Sequence, residues 1–346
     1  MIKKLGIDKY NALYLWAVFM IVFGIMKHDA FLSSASFKLV TQENVLRGVI
    51  GLAFLVPLVT GTFDLSVGAM CSMSLVISAR LSKGGLSWGW VPERLQHPWP
   101  GGWAVLFALC CCALAGFLSG FVVVKLRVNS FIATLGMSEV MTAFIIKTSK
   151  QSITTAFSDS WRNVGKAEFL GLARYVWYFL ILAAIVWYVF EHTPLGRYMF
   201  ATGGNPEAAR LTGVRTDRLV WGSLVASAVI AGFAGTIYGW KIGNYADTVG
   251  PGYLFAAIAA VFFGASQIKG RPNVWGMLIA LYALAWGIKG LQLTVQDANW
   301  LEHLFYGVSL LGAVSLASRQ GIIKVPKRKK PADGSTVEPA GAAPAG

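Results

Sequence analysis

The chain has 346 residues, 55% of them hydrophobic and only 13% charged, with a mean hydropathy of +0.59. A soluble globular domain carries about 25% charged residues, so this composition excludes an ordinary water-soluble enzyme and describes an integral membrane protein. The formal charge of +14 would suggest nucleic acid in a soluble chain. Here the basic residues lie mostly in loops and tails with no stripe interleaved with aromatics, so membrane orientation and anionic lipid account for them and no nucleic-acid partner is expected.

A spanning helix needs roughly 20 apolar residues to cross a hydrocarbon core about 30 Å thick. Ten segments qualify in chain order, at approximately 10–27, 45–61, 66–81, 103–124, 131–147, 173–191, 217–240, 253–266, 274–291 and 301–318. The fold class expected is therefore an all-α integral membrane protein, a polytopic bundle of about ten transmembrane helices over residues 1–324, followed by a disordered cytoplasmic tail at 325–346. The first segment has a basic start, but no small-residue cleavage site follows it, so it reads as a retained helix rather than a signal peptide. Cys71 and the run Cys110, Cys111 and Cys112 fall inside apolar segments. Adjacent cysteines on a helix point in different directions and cannot cage a metal, so they read as small hydrophobes and no metal site is expected.

Two segments, 66–81 and 253–266, are short and adjoin a neighbour across a glycine-containing break, "GTFDLSVG" at 61–68 and "GASQIKGRPNVWG" at 264–276. Backbone that leaves helical geometry at membrane depth is tolerated only where protein buries it or where it lines a water-filled cavity, so these breaks mark candidate pathway walls. Their rough correspondence hints at an internal repeat. In the first break Asp64 is expensive to bury unless donors satisfy it, and with Ser66 and Gly68 it reads either as a carboxylate capping the following helix or as a pathway group. At the start of the fifth segment Asn129, Ser130, Phe131 and Thr134 read either as interfacial capping or as amide and ring contacts for a polar solute. Gly116 with Gly120, and Gly235 with Gly239, are small-xxx-small pairs that permit close helix packing. Glu139, Lys289 and Glu302 lie within or near spans and need partners that the sequence leaves unassigned.

Residues 203–214, "GGNPEAARLTGV", read as a short water-facing helix between two long apolar segments. Asn205 is a favoured N-cap, Pro206 suits the first helical position, Glu207 complements the helix dipole and Gly213 supplies the stop. With both termini inside, the inside loops and tails hold 17 of the 30 basic residues, the strongest signal being the tail "KVPKRKK". Counting helices then puts 203–214 in the cytoplasm, with Ala208, Ala209, Leu211 and Val214 beside Glu207 and Arg210 as a small amphipathic surface. Spacing alone fits a groove on another protein and a helix lying on the headgroups equally well.

Four stretches carry a resemblance: "GTFDLSVGAM" at 61–70, "VNSFIATLGM" at 128–137, "TPLGRYMFATGGNPEAARLTGV" at 193–214 and "AAIAAVFFGASQIKGRPNVWG" at 256–276. In that order they resemble the recurring motifs of ribose-type permease subunits of ATP-binding-cassette importers, relatives of the branched-chain amino-acid permeases, over roughly residues 45–318. The resemblance implies a permease domain in a bacterial inner membrane that pairs with a second copy, receives a monosaccharide or similar solute from an extracytoplasmic sugar-binding protein, and docks on a cytoplasmic ATPase dimer. It further implies that Asn205, Pro206, Glu207, Ala208, Ala209, Arg210, Leu211, Thr212 and Gly213 form the ATPase-coupling segment; beside it, the residues of the break and of the fifth segment make Asp64, Leu65, Ser66, Gly68, Asn129, Phe131 and Thr134 candidates for the translocation pathway. Two places depart from the family pattern: Thr62 and Phe63 stand where Gly-Ile is common, and 266–273 lacks the usual glycines and Leu-Phe pair.

The chain has no G-x-x-x-x-G-K-[ST] phosphate loop and no H-E-x-x-H, and His28, His97, His192 and His303 are scattered, so neither ATP hydrolysis nor another catalysed reaction is expected of it. ATP, the one cofactor implied, would bind the partner subunit. The competing reading is an ion-gradient-driven secondary transporter using Asp64 and Glu139 at the midplane. Such a carrier does not require an exposed, capped cytoplasmic helix.

Overall fold

The computed structural model describes residues 11–84, 97–149, 157–244, 249–265, 270–295 and 299–319. The basic tail, Lys269 and most of the loop after residue 149 lie outside the described residues. The helices are α1 (Asn11–Met26), α2 (His28–Phe31), α3 (Ser34–Glu43), α4 (Val45–Val59), α5 (Val67–Lys83), α6 (Gly101–Val124), α7 (Ser130–Ser149), α8 (Asp159–Lys166), α9 (Arg174–His192), α10 (Pro194–Gly204), α11 (Pro206–Leu211), α12 (Thr216–Ile242), α13 (Pro251–Ala265), α14 (Val274–Thr294) and α15 (Asn299–Arg319). Between α8 and α9 the chain makes one two-residue antiparallel pair, β1 (Glu168–Phe169) with β2 (Leu172–Ala173).

Every one of the ten predicted segments is helical, and the protein is an all-α membrane bundle. By length and hydropathy six stretches, not ten, qualify as spans among the described residues: Ser34–Val59, α6, α7, α9, α12 and α14, with α1 and α13 apolar but shorter. Burial separates an inner from an outer ring. The windows in Ser34–Val59 and α14 are 72% buried, whereas those in α6 and α9 are 33% and that in α7 is 22%, which leaves the latter three to face lipid. The main core joins α4, α5, α12 and α13, and α4 is buried almost from end to end.

The 27-residue α12 is the axis of the bundle, roughly 40 Å long at 1.5 Å per residue. It starts at Thr216 beside α11 and runs to Ile242 at the opposite end, where α8 lies across it through Trp161 and Trp240, ring centroids 5.7 Å apart. Small residues set its distance from its neighbours. A methyl group on Gly235 would lie 2.2 Å from the Cys71 carbonyl oxygen of α5, and one on Gly116 of α6 would lie 2.8 Å from the Leu224 carbonyl oxygen. Both small-xxx-small pairs thus include a true backbone contact, although Gly239 meets the Phe157 ring rather than another helix backbone. Among the cysteines Cys71 and Cys112 are buried and Cys110 is exposed, as expected for apolar filler distributed around a helix.

The two breaks differ in kind. Residues 60–66 form a non-helical stretch of turns wedged against α12, α7 and α10. Of the second stretch, 266–269 lie outside the described residues; on either side of them α13 and α14 pack with Gly264 and Gly276 so close that a methyl on Gly276 would lie 2.3 Å from the Gly264 carbonyl oxygen. What faces the first break across the bundle is the start of α13: the Gly250 N–H donates to Ser72 Oγ at 2.9 Å, and a methyl on Gly250 would lie 1.8 Å from the Gly68 carbonyl oxygen.

Adding side-chain bulk at the α5–α12 contact should loosen the core. Gly235→Val is expected to lower the stability of the purified protein by about 1–3 kcal/mol, as overpacking does. Gly222→Ala, at a site with no atom within 4 Å of the added methyl, should leave the thermal unfolding midpoint in detergent unchanged or slightly raised.

Candidate functional site

The first break begins where α4 runs out of donors and acceptors that match. Pro57 has no N–H, and its carbonyl collects the Thr60 N–H at 2.9 Å, the Thr60 hydroxyl at 2.8 Å and the Thr62 N–H at 3.1 Å. Gly61 then reverses the chain at a φ of +81°, a conformation that disfavours other residues. Beyond it the freed backbone is satisfied by side chains from other helices. Ser130 Oγ accepts from the Phe63 N–H and Thr134 Oγ1 from the Leu65 N–H, each at 3.1 Å. These hydroxyls do for the break what the helical ladder does elsewhere.

Asp64 is 1% exposed. One carboxylate oxygen accepts from the Ser66 N–H at 3.0 Å and the Ser66 hydroxyl at 2.5 Å, and the other from Ser227 Oγ of α12 at 2.8 Å. Ser227 lies about 16 Å along α12 from Thr216 at 1.5 Å per residue, deep within a core about 30 Å thick. Three donors partner a carboxyl group that would otherwise be costly to bury. Thr60, one turn nearer to α11, is linked to Ser223 of the same helix at 3.2 Å. Asp64, Ser66, Gly68 and Thr134 are buried together at the break, with Leu65 half-buried beside them. Asn129 and Phe131 are not part of this cluster: both are exposed, and Asn129 Oδ1 accepts from the Phe131 N–H to cap α7. Sequence reasoning missed Ser227, whose partner lies 163 residues away and which on α12 is one small residue among many.

A cavity of about 640 Å³ opens at the α11 end and reaches Thr62 of the break, with Lys125, Arg127, Arg210 and Asp217 on its walls. Glu139 is exposed on α7, while both oxygens of Asp64 are occupied by serines, so the two acids anticipated for an ion carrier do not share ligands.

The short helix α11 has the caps read from the sequence. Asn205 Oδ1 accepts from the Ala208 N–H at 3.1 Å, Pro206 occupies the first turn, and Gly213, at a φ of +85°, donates back to the Arg210 carbonyl at 2.9 Å. Its faces are not those anticipated. Ala209 is buried and Val214 half-buried, whereas Asn205, Pro206, Glu207, Ala208, Arg210, Leu211, Thr212 and Gly213 are exposed, Leu211 at 90%. Arg210 turns back to α12, where its Nε donates to Thr216 Oγ1 at 2.7 Å and its guanidinium pairs with Asp217.

The preceding helix α10 touches both breaks. A methyl on Gly203 would lie 2.2 Å from the Val59 carbonyl oxygen and 3.1 Å from the Gly61 nitrogen, so backbone rests on backbone there. Farther back, the Arg271 guanidinium stacks 4.0 Å over the Phe200 ring and pairs with Glu191 at 2.8 Å. Arg271 is thus tied to α9 and α10. Asn273 Oδ1 accepts from the Gly276 N–H at 2.6 Å and fixes the start of α14 beside it.

Removing the Asp64 acceptor should be costly, since each buried donor left without a partner loses about 1–3 kcal/mol. Asp64→Leu orphans three donors and is expected to destabilise more than Ser227→Ala, with Asp64→Asn between them; chemical denaturation of the three purified variants, followed by circular dichroism, ranks them.

The chain is similar to proteins of one kind. It is 29% identical over 311 residues to the fructose import permease protein of Rhizobium meliloti, covering 86% of this chain and 81% of that one. It is 27% identical over 288 residues to the ribose import permease protein of Escherichia coli K12, covering 81% and 85%, and 29% identical over 341 residues to the galactose/methyl galactoside import permease protein of Haemophilus influenzae, covering 94% and 98%. No solved structure matches it. Residues 44–314, from the start of α4 to within α15 and including the break, α11 and the α13–α14 turn, match the model of the branched-chain amino acid transport system / permease component, and the chain belongs to that family.

Proposed function

We propose that this protein is the membrane-spanning permease subunit of an ATP-binding-cassette importer, which moves a monosaccharide or similar small polar solute into the cytoplasm by alternating access. It pairs with a second copy of itself in a bacterial inner membrane, with both termini cytoplasmic, and takes solute from an extracytoplasmic sugar-binding protein. ATP binding and hydrolysis belong to a separate cytoplasmic ATPase dimer, and this chain carries no cofactor. The printed activities of the relatives, import of fructose, ribose and galactose, support the solute class.

The observation that carries the reading is the mounting of α11. A helix capped at both ends exposes 90% of Leu211, while Arg210 ties it to the first turn of α12. A large apolar side chain standing free on a rigid polar helix fits a groove on another protein. Closure of the ATPase dimer displaces α11, and α10 transmits the displacement in two directions. Gly203 presses on Val59 and Gly61, and Phe200 carries Arg271 and with it the α13–α14 turn. The break can respond because its backbone is held by side-chain hydroxyls, each worth about 1 kcal/mol net, rather than by a continuous helical ladder. Asp64, Leu65, Ser66, Gly68 and Thr134, at the inner end of the cavity that reaches Thr62, would line the path, with Asn129 and Phe131 at its exposed margin. Coupling is then a difference in contact energy between two arrangements of the same groups.

Affinity purification of the tagged full-length chain from its native membrane tests the assignment. A P-loop ATPase is expected to accompany the wild type, and Leu211→Asp or Ala208→Asp should reduce its recovery about tenfold or more, the effect of losing some 1.4 kcal/mol at a contact, with unchanged thermal midpoints. Gly203→Val, which wedges the α10–α4 contact without touching the docking surface, should retain the ATPase and abolish ATP-driven uptake. Full recovery of the ATPase with Leu211→Asp and Ala208→Asp would remove α11 from the interface.

A further inference from the structure

On the flank of the bundle, between α9 and α12, lies an apolar groove of about 270 Å³. The pattern of α12 sets its axis. Arg218, Gly222, Ala226 and Ile230 recur at every fourth residue, so they share one face of that helix, and they line the groove together with Ile185 and Val189 of α9. Gly222 makes the furrow, since no atom lies within 4 Å of a methyl group placed on it. Gly222, Ala226 and Ile185 are all exposed, so the groove is open along its side to whatever surrounds the bundle.

Length and charge say what fills it. From Arg218 to Ile230 the helix rises roughly 18 Å at 1.5 Å per residue, close to the ~15 Å that one leaflet contributes to a hydrocarbon core about 30 Å thick. The groove therefore runs from headgroup level at the α11 end to near the bilayer centre. Its only charge stands at the headgroup end. Arg218, in the first turn of α12, is exposed and has no ion pair among the described residues, and the adjacent Asp217 is already engaged by Arg210. Ser223, the other polar side chain on the walls, is bonded to the Val220 carbonyl at 2.8 Å and to Thr60 at 3.2 Å. One free cation at the mouth and hydrocarbon below it complement an anionic head on an apolar chain. A helix of a second copy, about 10–12 Å across with its side chains, is too thick to enter a slot of this volume.

We propose that the groove between α9 and α12 holds one acyl chain of an anionic phospholipid from the leaflet on the α11 side, with Arg218 pairing with the headgroup phosphate. The phosphate of a zwitterionic lipid carries its own ammonium group and gains less from Arg218, which is the source of the preference. The inference needs only the membrane placement of the bundle and is independent of the importer reading. The bound chain also touches Met199 of α10 and Ser223 of α12, and Ser223 is linked to Thr60 of the break. Lipid in the groove thus packs against α9, α10 and α12 directly beside the break.

The test is photo-cross-linking of the full-length protein in lipid nanodiscs containing a trace of phosphatidylglycerol or phosphatidylcholine with a diazirine midway along one acyl chain, the adducts being mapped by mass spectrometry. Leu114 and Phe117, exposed on α6, serve as a control for ordinary lipid contact. In the wild type the phosphatidylglycerol probe is expected to label Ala226 and Ile230 more strongly than the phosphatidylcholine probe does, with no such preference on α6. Arg218→Gln should lower the phosphatidylglycerol adduct in the groove about fivefold, as loss of one cation near a headgroup implies, and leave the phosphatidylcholine adduct unchanged. Gly222→Phe and Ala226→Phe each fill the furrow without altering charge, and should remove the Ile230 adduct of both probes while labelling of α6 continues, which separates a filled groove from an unfolded protein. The proposal is overturned if the two probes label the groove equally in the wild type, if Arg218→Gln keeps the preference, or if the Ile230 adduct persists in both filled variants. It is also overturned if α6 is labelled and the groove is not, the result that a protein occupant would give.

Discussion

A polypeptide that leaves the helix inside a bilayer has no water to satisfy its peptide groups, so every N–H and C=O it frees must find a partner within the protein. Residues 60–66 impose that constraint on this molecule, and much of the surrounding architecture answers it. Thr60 and Thr62 share the Pro57 carbonyl, Ser130 and Thr134 take the Phe63 and Leu65 N–H groups, and Asp64 is satisfied by Ser66 and Ser227. These partners come from α7 and α12, so the break holds its shape only while those helices keep their positions. A local interruption of one helix is thereby tied to the arrangement of the whole bundle.

The same region is where the chain is most closely packed. Glycine contacts bring α10 onto the end of α4, α12 onto α5, and the start of α13 onto the start of α5. Backbone-to-backbone contacts of this kind have almost no slack, since interiors are packed to crystal density. A displacement at α10 therefore reaches the break as a displacement rather than being absorbed by side-chain rotation. Arg271, stacked on Phe200 and paired with Glu191, gives α10 a second firm contact on the side of the α13–α14 turn. The close α10 contact and the polar break meet at residues 57–66.

Charge is distributed to suit a low-dielectric slab. The ion pairs Arg210–Asp217 and Arg271–Glu191 lie toward the α11 end, and Arg47–Glu302 and Lys241–Glu43 toward the other. Between them Asp64 stands as a carboxylate balanced by hydroxyl and amide donors instead of a cation.

Much of this was legible without coordinates, and the limit has a physical cause. Length and apolarity of a segment are local properties, so all ten helices could be placed; helix caps depend on a few neighbouring residues, so Asn205, Pro206 and Gly213 identified α11 correctly. Glycines and a carboxylate within 61–68 signalled the first break for the same reason. The partners could not be read. Glu302 needed Arg47, 255 residues away, and Asp64 needed Ser227, 163 away. Helices such as α12 are apolar on every face, so no periodicity says which face meets α5 or α6, and rotation about the helix axis is decided by tertiary packing alone. That is why Ala209 proved buried beside an exposed Leu211, and why the contact of Gly250 with Ser72 and Gly68 could not be read. Sequence alone placed the ten apolar helices and the caps of α11, but not α2, α3, α8 or α10, which carry too little apolar length to announce themselves; only the fold decided which side chains meet.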